Sequence, residues 1–123
     1  MHTANNSYIE ILKQSLTKKI ELLDTIMALN VLQKDMLENP DLDPDELEEN
    51  LNHKADMVEQ LSKLDDGFSQ IYDRVRADLT ENRGAYSEDI AQMKRDITAI
   101  MCRPLHCILV HILIIQGFLH TRR

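Results

Sequence analysis

Apolar residues return along the first third of this chain at three- and four-residue steps: Ile9, Leu12, Leu16, Ile20, Leu23 and Met27, then Met36 and Leu37. That spacing lines one face of an α-helix. Leu22, Leu29 and Leu32 widen the stripe, which predicts contact with more than one neighbouring helix. The pattern predicts a helix over residues 7–38, opened by Asn5-Asn6-Ser7, whose short polar side chains can accept hydrogen bonds from the free N–H groups of a first turn. At 1.5 Å per residue such a rod is roughly 45–50 Å long.

Asn39-Pro40-Asp41-Leu42-Asp43-Pro44 interrupts the pattern. Asp43 can cap a new helix, Pro44 fits its first position, where no N–H bond is lost, and Glu46 stands where a capping box needs it. Asp45, Glu46, Glu48 and Glu49 favour the positive end of the helix dipole. The second stripe runs Leu47, Leu51, Met57/Val58, Leu61, Leu64, Phe68, Ile71/Tyr72, Val75 and Leu79, predicting a helix over 44–80. Gly67 costs it ~1 kcal/mol relative to Ala, which its apolar neighbours outweigh, so the helix is read as continuous.

Asn82-Arg83-Gly84 reads as a break, with Gly84 able to take the positive φ of a helix end and Ser87 as the next cap. Tyr86, Ile90, Met93, Ile97 and Ile100 then keep a helical rhythm without a miss, while Ser87, Glu88, Asp89, Lys94, Arg95 and Asp96 fill the other faces. This is a third amphipathic helix with a narrow stripe. The fold class read from the pattern is all-α: an elongated antiparallel helical hairpin with a third amphipathic helix, a three-helix bundle or coiled coil. The hairpin is expected to pack along Leu12, Leu16, Leu23, Leu51, Val58, Leu61 and Phe68.

Charge changes the picture at one place. The whole chain carries −7, yet all 21 acidic residues lie at or before Asp96 with 11 of the 14 basic ones, leaving −10 on residues 1–101. An acidic body repels phosphate backbones, so no nucleic-acid partner is expected. From Cys102 the composition shifts: Leu105 to Leu119 holds eleven apolar residues of fifteen, with no charge between Arg103 and Arg122. The chain therefore divides into a helical domain, 1–101, and an apolar tail, 102–123. The tail falls short of the ~20 residues that span a bilayer as a helix, and His111, Gln116 and Gly117 interrupt it. A membrane anchor is thus disfavoured; a buried helix, self-association through the tail, or a shifted reading frame account for it as well. No charged segment followed by an apolar one opens the sequence, and the expected compartment is the reducing cytoplasm.

Catalytic and cofactor motifs are absent: there is no Gly-rich phosphate loop, no G-x-S-x-G and no H-E-x-x-H. Asp65-Asp66 is a paired carboxylate with no His or Lys partner in the sequence pattern, and His53 is expected to be exposed. Cys102-x3-His106-Cys107-x3-His111 supplies four zinc-type ligands, but on one straight helix the two pairs face about 140° apart and cannot close around one ion. Neither an enzyme, a cofactor nor a metal site is expected. The methionines Met27, Met36, Met57, Met93 and Met101 admit two roles, core filling and an adaptable binding surface.

Tyr8-Ile9-Glu10-Ile11-Leu12-Lys13-Gln14-Ser15-Leu16 with Lys18-Lys19-Ile20 and Leu22-Leu23-Asp24 resembles the opening of FlgN-type flagellar export chaperones of Gram-positive bacteria. The likeness is closer in the second helix: Asp43-Pro44-Asp45-Glu46-Leu47-Glu48-Glu49, Lys54-Ala55-Asp56-Met57-Val58-Glu59-Gln60-Leu61, Leu64-Asp65-Asp66-Gly67-Phe68 and Ile71-Tyr72-Asp73-Arg74-Val75-Arg76. It covers about residues 8–101. The resemblance implies a cytoplasmic chaperone that binds hook–filament junction subunits, the secreted hook-associated proteins of the flagellum, before type III export, and that engages them through its C-terminal helical region. Here that region is Tyr86, Ile90, Met93, Ile97, Ile100 and Met101; beyond it the apolar tail departs from the family's polar helix-forming end. Two other functions fit parts of the chain: a general coiled-coil adaptor fits the acidic hairpin, and a tail-anchored helical protein fits the tail. Lys19, Asn30 and Gln33 break the strict a/d seam that a self-contained homodimer would favour.

Overall fold

The computed structural model describes residues 2–103, with side chains from Asn5 onward. Three helices follow in order: α1, His2–Glu38; α2, Pro44–Glu81; and α3, Ser87–Met101. α1 and α2 form an antiparallel hairpin, and α3 lies on α1. Asp89, early in α3, meets Lys13, whereas Arg103, just beyond α3, meets Asp24, so α3 runs parallel to α1. The described residues are helices joined by short turns and irregular links, with no strand among them, an all-α bundle as the periodicity predicts.

Helix boundaries follow their caps. Asp43, in extended backbone, accepts a hydrogen bond from the Asp45 N–H at 3.0 Å, with Pro44 at the first helical position, as expected. α2 passes through Gly67 without a break. Three local expectations need correction. Asn5-Asn6-Ser7 does not cap α1, which begins five residues earlier than predicted; the Asn5 amide instead donates to Asp78 of α2 at 2.8 Å. Gly84 takes no positive φ: the chain turns through Ala85 N–H to Asn82 O and Tyr86 N–H to Arg83 O, at 3.0 and 3.3 Å. Tyr86, not Ser87, is the cap residue of α3, and its side chain makes no cap bond.

The core is built from Ile9, Leu12, Leu16, Leu22, Leu23 and Ile26 of α1, Val58, Leu61, Val75 and Leu79 of α2, and Tyr86, Met93 and Ile100. These residues occupy one half of the hairpin, the half that α3 covers. Phe68, assigned to the core, is half-buried at its edge. Leu51, also assigned there, is 45% exposed. The reason is positional: Leu51 lies past the end of α3, where two helices alone cannot enclose a wide stripe.

Toward the connecting turn the seam becomes polar. Asn50 and Lys54 are buried. The Asn50 amide donates to the Leu29 carbonyl at 3.2 Å, its Oδ1 has no partner among the described residues, and the Lys54 ammonium donates to Gln33 Oε1. Burial pulls the Lys54 pKa below the ordinary lysine value, because desolvation disfavours the charged form. Ion pairs elsewhere fix the register of the helices: Lys19 to Asp65 at 2.9 Å between α1 and α2, and Lys13 to Asp89 at 3.0 Å between α1 and α3. Arg74 of α2 also donates to the Tyr8 hydroxyl at 3.2 Å and lies 5.7 Å from that ring's centre.

Candidate functional site

The third stripe divides into two sets. Tyr86, Met93 and Ile100 stand seven residues apart and are buried against the core, whereas Ile97 is 41% exposed and Met101 72% exposed. Ile90 is half-buried against the core cluster. A seven-residue step is close to two helical turns, so one set keeps facing α1 while residues 90 and 97 rotate toward α2. Of the six candidate binding residues, then, Tyr86, Met93 and Ile100 are buried anchors, of which Met93 and Ile100 also reach the edge of the open space bordered by Ile90, Ile97 and Met101.

That open space is a furrow between α2 and α3, two helices that are joined mainly through α1. Phe68, Tyr72 and Leu79 of α2 face Ile90, Met93 and Ile97 of α3 across it, with Arg83 and Lys94 at its rim. A second recess, bounded by Leu16, Leu64, Ile100 and Met101, shares Phe68 and Ile97 with the first, so the apolar surface continues along the length of α3. Phe68 and Tyr72, one helical turn apart, stack with ring centroids 6.2 Å apart and planes within 9° of parallel. Stacking presents a broad flat wall at small entropic cost, because each ring already restrains the other. The aromatic wall was not assigned to the site from the sequence; its signal was the i, i+4 aromatic pair on a stripe otherwise made of aliphatic residues.

At one end of the site Asp78 ties the three helices together. Its carboxylate accepts from the Asn5 amide at 2.8 Å and from the Tyr86 hydroxyl at 2.6 Å. The bond to Asp78, then burial, then the charges of Asp78 and Asp89 push the Tyr86 pKa above the ordinary tyrosine value. No family model, curated protein or solved structure matches the chain.

The opposite side of α3 carries a different surface. Glu10, Lys13, Glu21, Glu88, Asp89 and Arg95 line a wide polar furrow between α1 and α3. The bond from Lys13 to Asp89 holds the lysine pKa above its ordinary value, and both groups are engaged with each other. The Asp65-Asp66 pair is likewise structural on its first member, since Asp65 accepts both contacts of the Lys19 ammonium, at 2.9 and 3.1 Å. His53 is exposed, as expected. Among the described residues no three His, Cys, Asp or Glu gather as a metal site requires, and no helix is long and apolar enough to cross a membrane. Cys102 is exposed; His106, Cys107 and His111 lie outside the described residues. What the arrangement offers chemically is apolar area of fixed shape, suited to receiving a side-chain row from another helix.

Proposed function

We propose that this chain is a cytoplasmic chaperone of the FlgN type, which holds a secreted hook–filament junction subunit before flagellar type III export. The observation that carries the reading is the open apolar furrow between α2 and α3, lined by Phe68, Tyr72, Ile90 and Ile97. A furrow of this kind accepts one amphipathic helix by anchors at i, i+3, i+4 and i+7 spacing. The resemblance of residues 8–101 to that chaperone family supplies the class of partner, and the acidic body agrees with a role that excludes nucleic acid. Arg83 and Lys94 at the rim favour a partner helix with acidic flanks.

The test is calorimetric titration of the protein with a purified hook–filament junction subunit. Ile97→Asp combined with Tyr72→Ser alters two residues that are each about two-fifths exposed and outside the buried core, so helicity is expected to stay unchanged. Binding should weaken by about 30-fold or more, the ~2 kcal/mol that defines a hot spot. Ile90→Asp is a poorer probe, because Ile90 packs on the core cluster and its loss would disturb the fold itself. Undiminished binding by the double variant would overturn the assignment.

A further inference from the structure

The half of the hairpin beyond α3 exposes an apolar row. Met27 and Val31 of α1 and Leu51 of α2 are all exposed, Val31 to 58%. Within each helix these positions repeat, at multiples of seven residues, those that meet α3. Met27 lies fourteen residues after Lys13, the partner of Asp89, and Val31 seven after Asp24, the partner of Arg103. Leu51 lies fourteen before Asp65, which borders the recess with Ile97 and Met101. The row therefore has the form of the surface on which α3 lies, a seat for one more helix. From Asp24, where the contacts of α3 end, to Glu38 at the end of α1 the rise is about 21 Å, the length of about fourteen helical residues.

Charge says what kind of helix. Residues 27–56, which hold the row, carry nine acidic side chains against Lys34 and Lys54, a net −7 of the −10 on residues 1–101. All nine are exposed and, among the described residues, none is in an ion pair, while Lys54 is buried. Where α3 lies the opposite holds: Asp24, Asp65 and Asp89 each have a cation of their own. Glu38 stands seven residues after Val31, Asp35 four after it and Glu48 three before Leu51, so carboxylates rim the row on both helices. Apolar area bordered by unpaired carboxylates is complementary to an apolar stripe flanked by Lys or Arg. It repels an anionic lipid surface and a second acidic hairpin. We propose that this half of the hairpin docks a basic amphipathic helix of another protein, about four turns long, along the line that α3 follows in the other half.

The inference is independent of the chaperone reading, since the row lies away from the α2–α3 furrow and its partner carries the charge opposite to the one that Arg83 and Lys94 favour there. The test uses the full-length chain and a fluorescent synthetic peptide of about fifteen residues, with leucine at i, i+3, i+4 and i+7 spacing and lysine on its other faces. Two control peptides accompany it, one of the same composition without helical periodicity and one with glutamate in place of lysine. Fluorescence anisotropy should show the first peptide binding at least about tenfold more tightly than either control, and less tightly in high salt. Val31→Ser with Leu51→Ser, and separately Glu38→Gln with Glu48→Gln, should each weaken binding by about tenfold, with circular dichroism unchanged because all four residues are exposed. Tyr72→Ser with Ile97→Asp should leave it unchanged, which separates the row from the furrow. With the photo-crosslinker p-benzoylphenylalanine in place of Val31, the peptide should be linked to that position. Binding no tighter than that of the controls, or binding that neither pair of row variants weakens, would overturn the proposal. So would a loss confined to the Tyr72 and Ile97 variant, or a link from position 31 to a second copy or to residues 104–123 of the chain itself in place of the peptide.

Discussion

Single residues show how far conformational freedom and protonation matter here. Gly67 sits inside α2 without a positive φ, and a Cβ added there meets no atom within 4 Å. Gly67→Ala is therefore expected to stabilise the protein by about 0.5–1 kcal/mol, by removing the backbone entropy that glycine loses on folding. Urea unfolding would read this as a higher midpoint at unchanged slope; a lower midpoint would mean that the helix is bent at this position. Tyr86 gives a pH prediction. Its folded-state pKa lies above the ordinary value of 10.0, because the hydroxyl donates to Asp78 in a buried place. The stability it contributes is fully present below that value and is lost as pH rises through the folded pKa, since the unfolded state gives up its proton first. Tyr86→Phe should accordingly be less stable at neutral pH and show a smaller loss of stability between neutral and alkaline pH. Parallel alkaline curves for the two proteins would show that the bond to Asp78 is not maintained in solution.

At the scale of elements, one stripe does different work along its length. Leu12 is fully buried under two helices, and Leu51, an equally regular member of its own stripe, is largely exposed. Leu12→Ala should cost about 2–5 kcal/mol, the transfer term plus the cavity left behind, whereas Leu51→Ala should fall within about 0.5 kcal/mol if the distal face is open to water. A clear cost at Leu51 would show that its face is not open to water. Thermal unfolding of the two variants side by side measures the contrast. The polar seam of Asn50, Lys54 and Gln33 works in the other direction: a buried amide and a buried ammonium give up hydrophobic stabilisation, and they disfavour other registers of α1 against α2, where these groups would lack their partners.

For the molecule as a whole, α1 is the spine, and the other two helices are held to it by ion pairs as well as by the core. Lys19 to Asp65 fixes α2, Lys13 to Asp89 fixes the start of α3, and Arg103 to Asp24 fixes its end. The Arg103 guanidinium holds the Asp24 carboxyl below its ordinary pKa of 3.8. The stability this supplies is present above that pH and is lost as pH falls through the folded pKa. Arg103→Gln should thus lower stability slightly at neutral pH and flatten the loss on acidification below about 4, with the difference shrinking in high salt because the carboxylate is partly exposed. Acid titrations of both proteins followed by circular dichroism would check this; identical acid midpoints would mean that the pair contributes nothing to the docking of α3.

By itself the sequence determined the number of helices, their order, the start of α2 at Pro44, the continuity of that helix through Gly67 and the amphipathic character of α3. Those features are local: a cap, a turn and a periodic face are each written within a few residues, and helical geometry translates them directly. The tertiary structure decided which members of each stripe are covered. Periodicity points Leu51 and Leu61, or Ile97 and Ile100, to the same broad face, but burial depends on where the neighbouring helix stops and on which side it lies. The site followed the same rule. Tyr86, Ile90, Met93, Ile97, Ile100 and Met101 were legible as one stripe, yet their division into anchors against α1 and a border of open space, and the pairing of that border with Phe68 and Tyr72, arise from the angle at which α3 lies on α1. Asp78 was likewise illegible as the junction of three helices, because Asn5, which donates to the same carboxylate as Tyr86, is seventy-three residues away in sequence and is brought there only by the packing of α1 on α2.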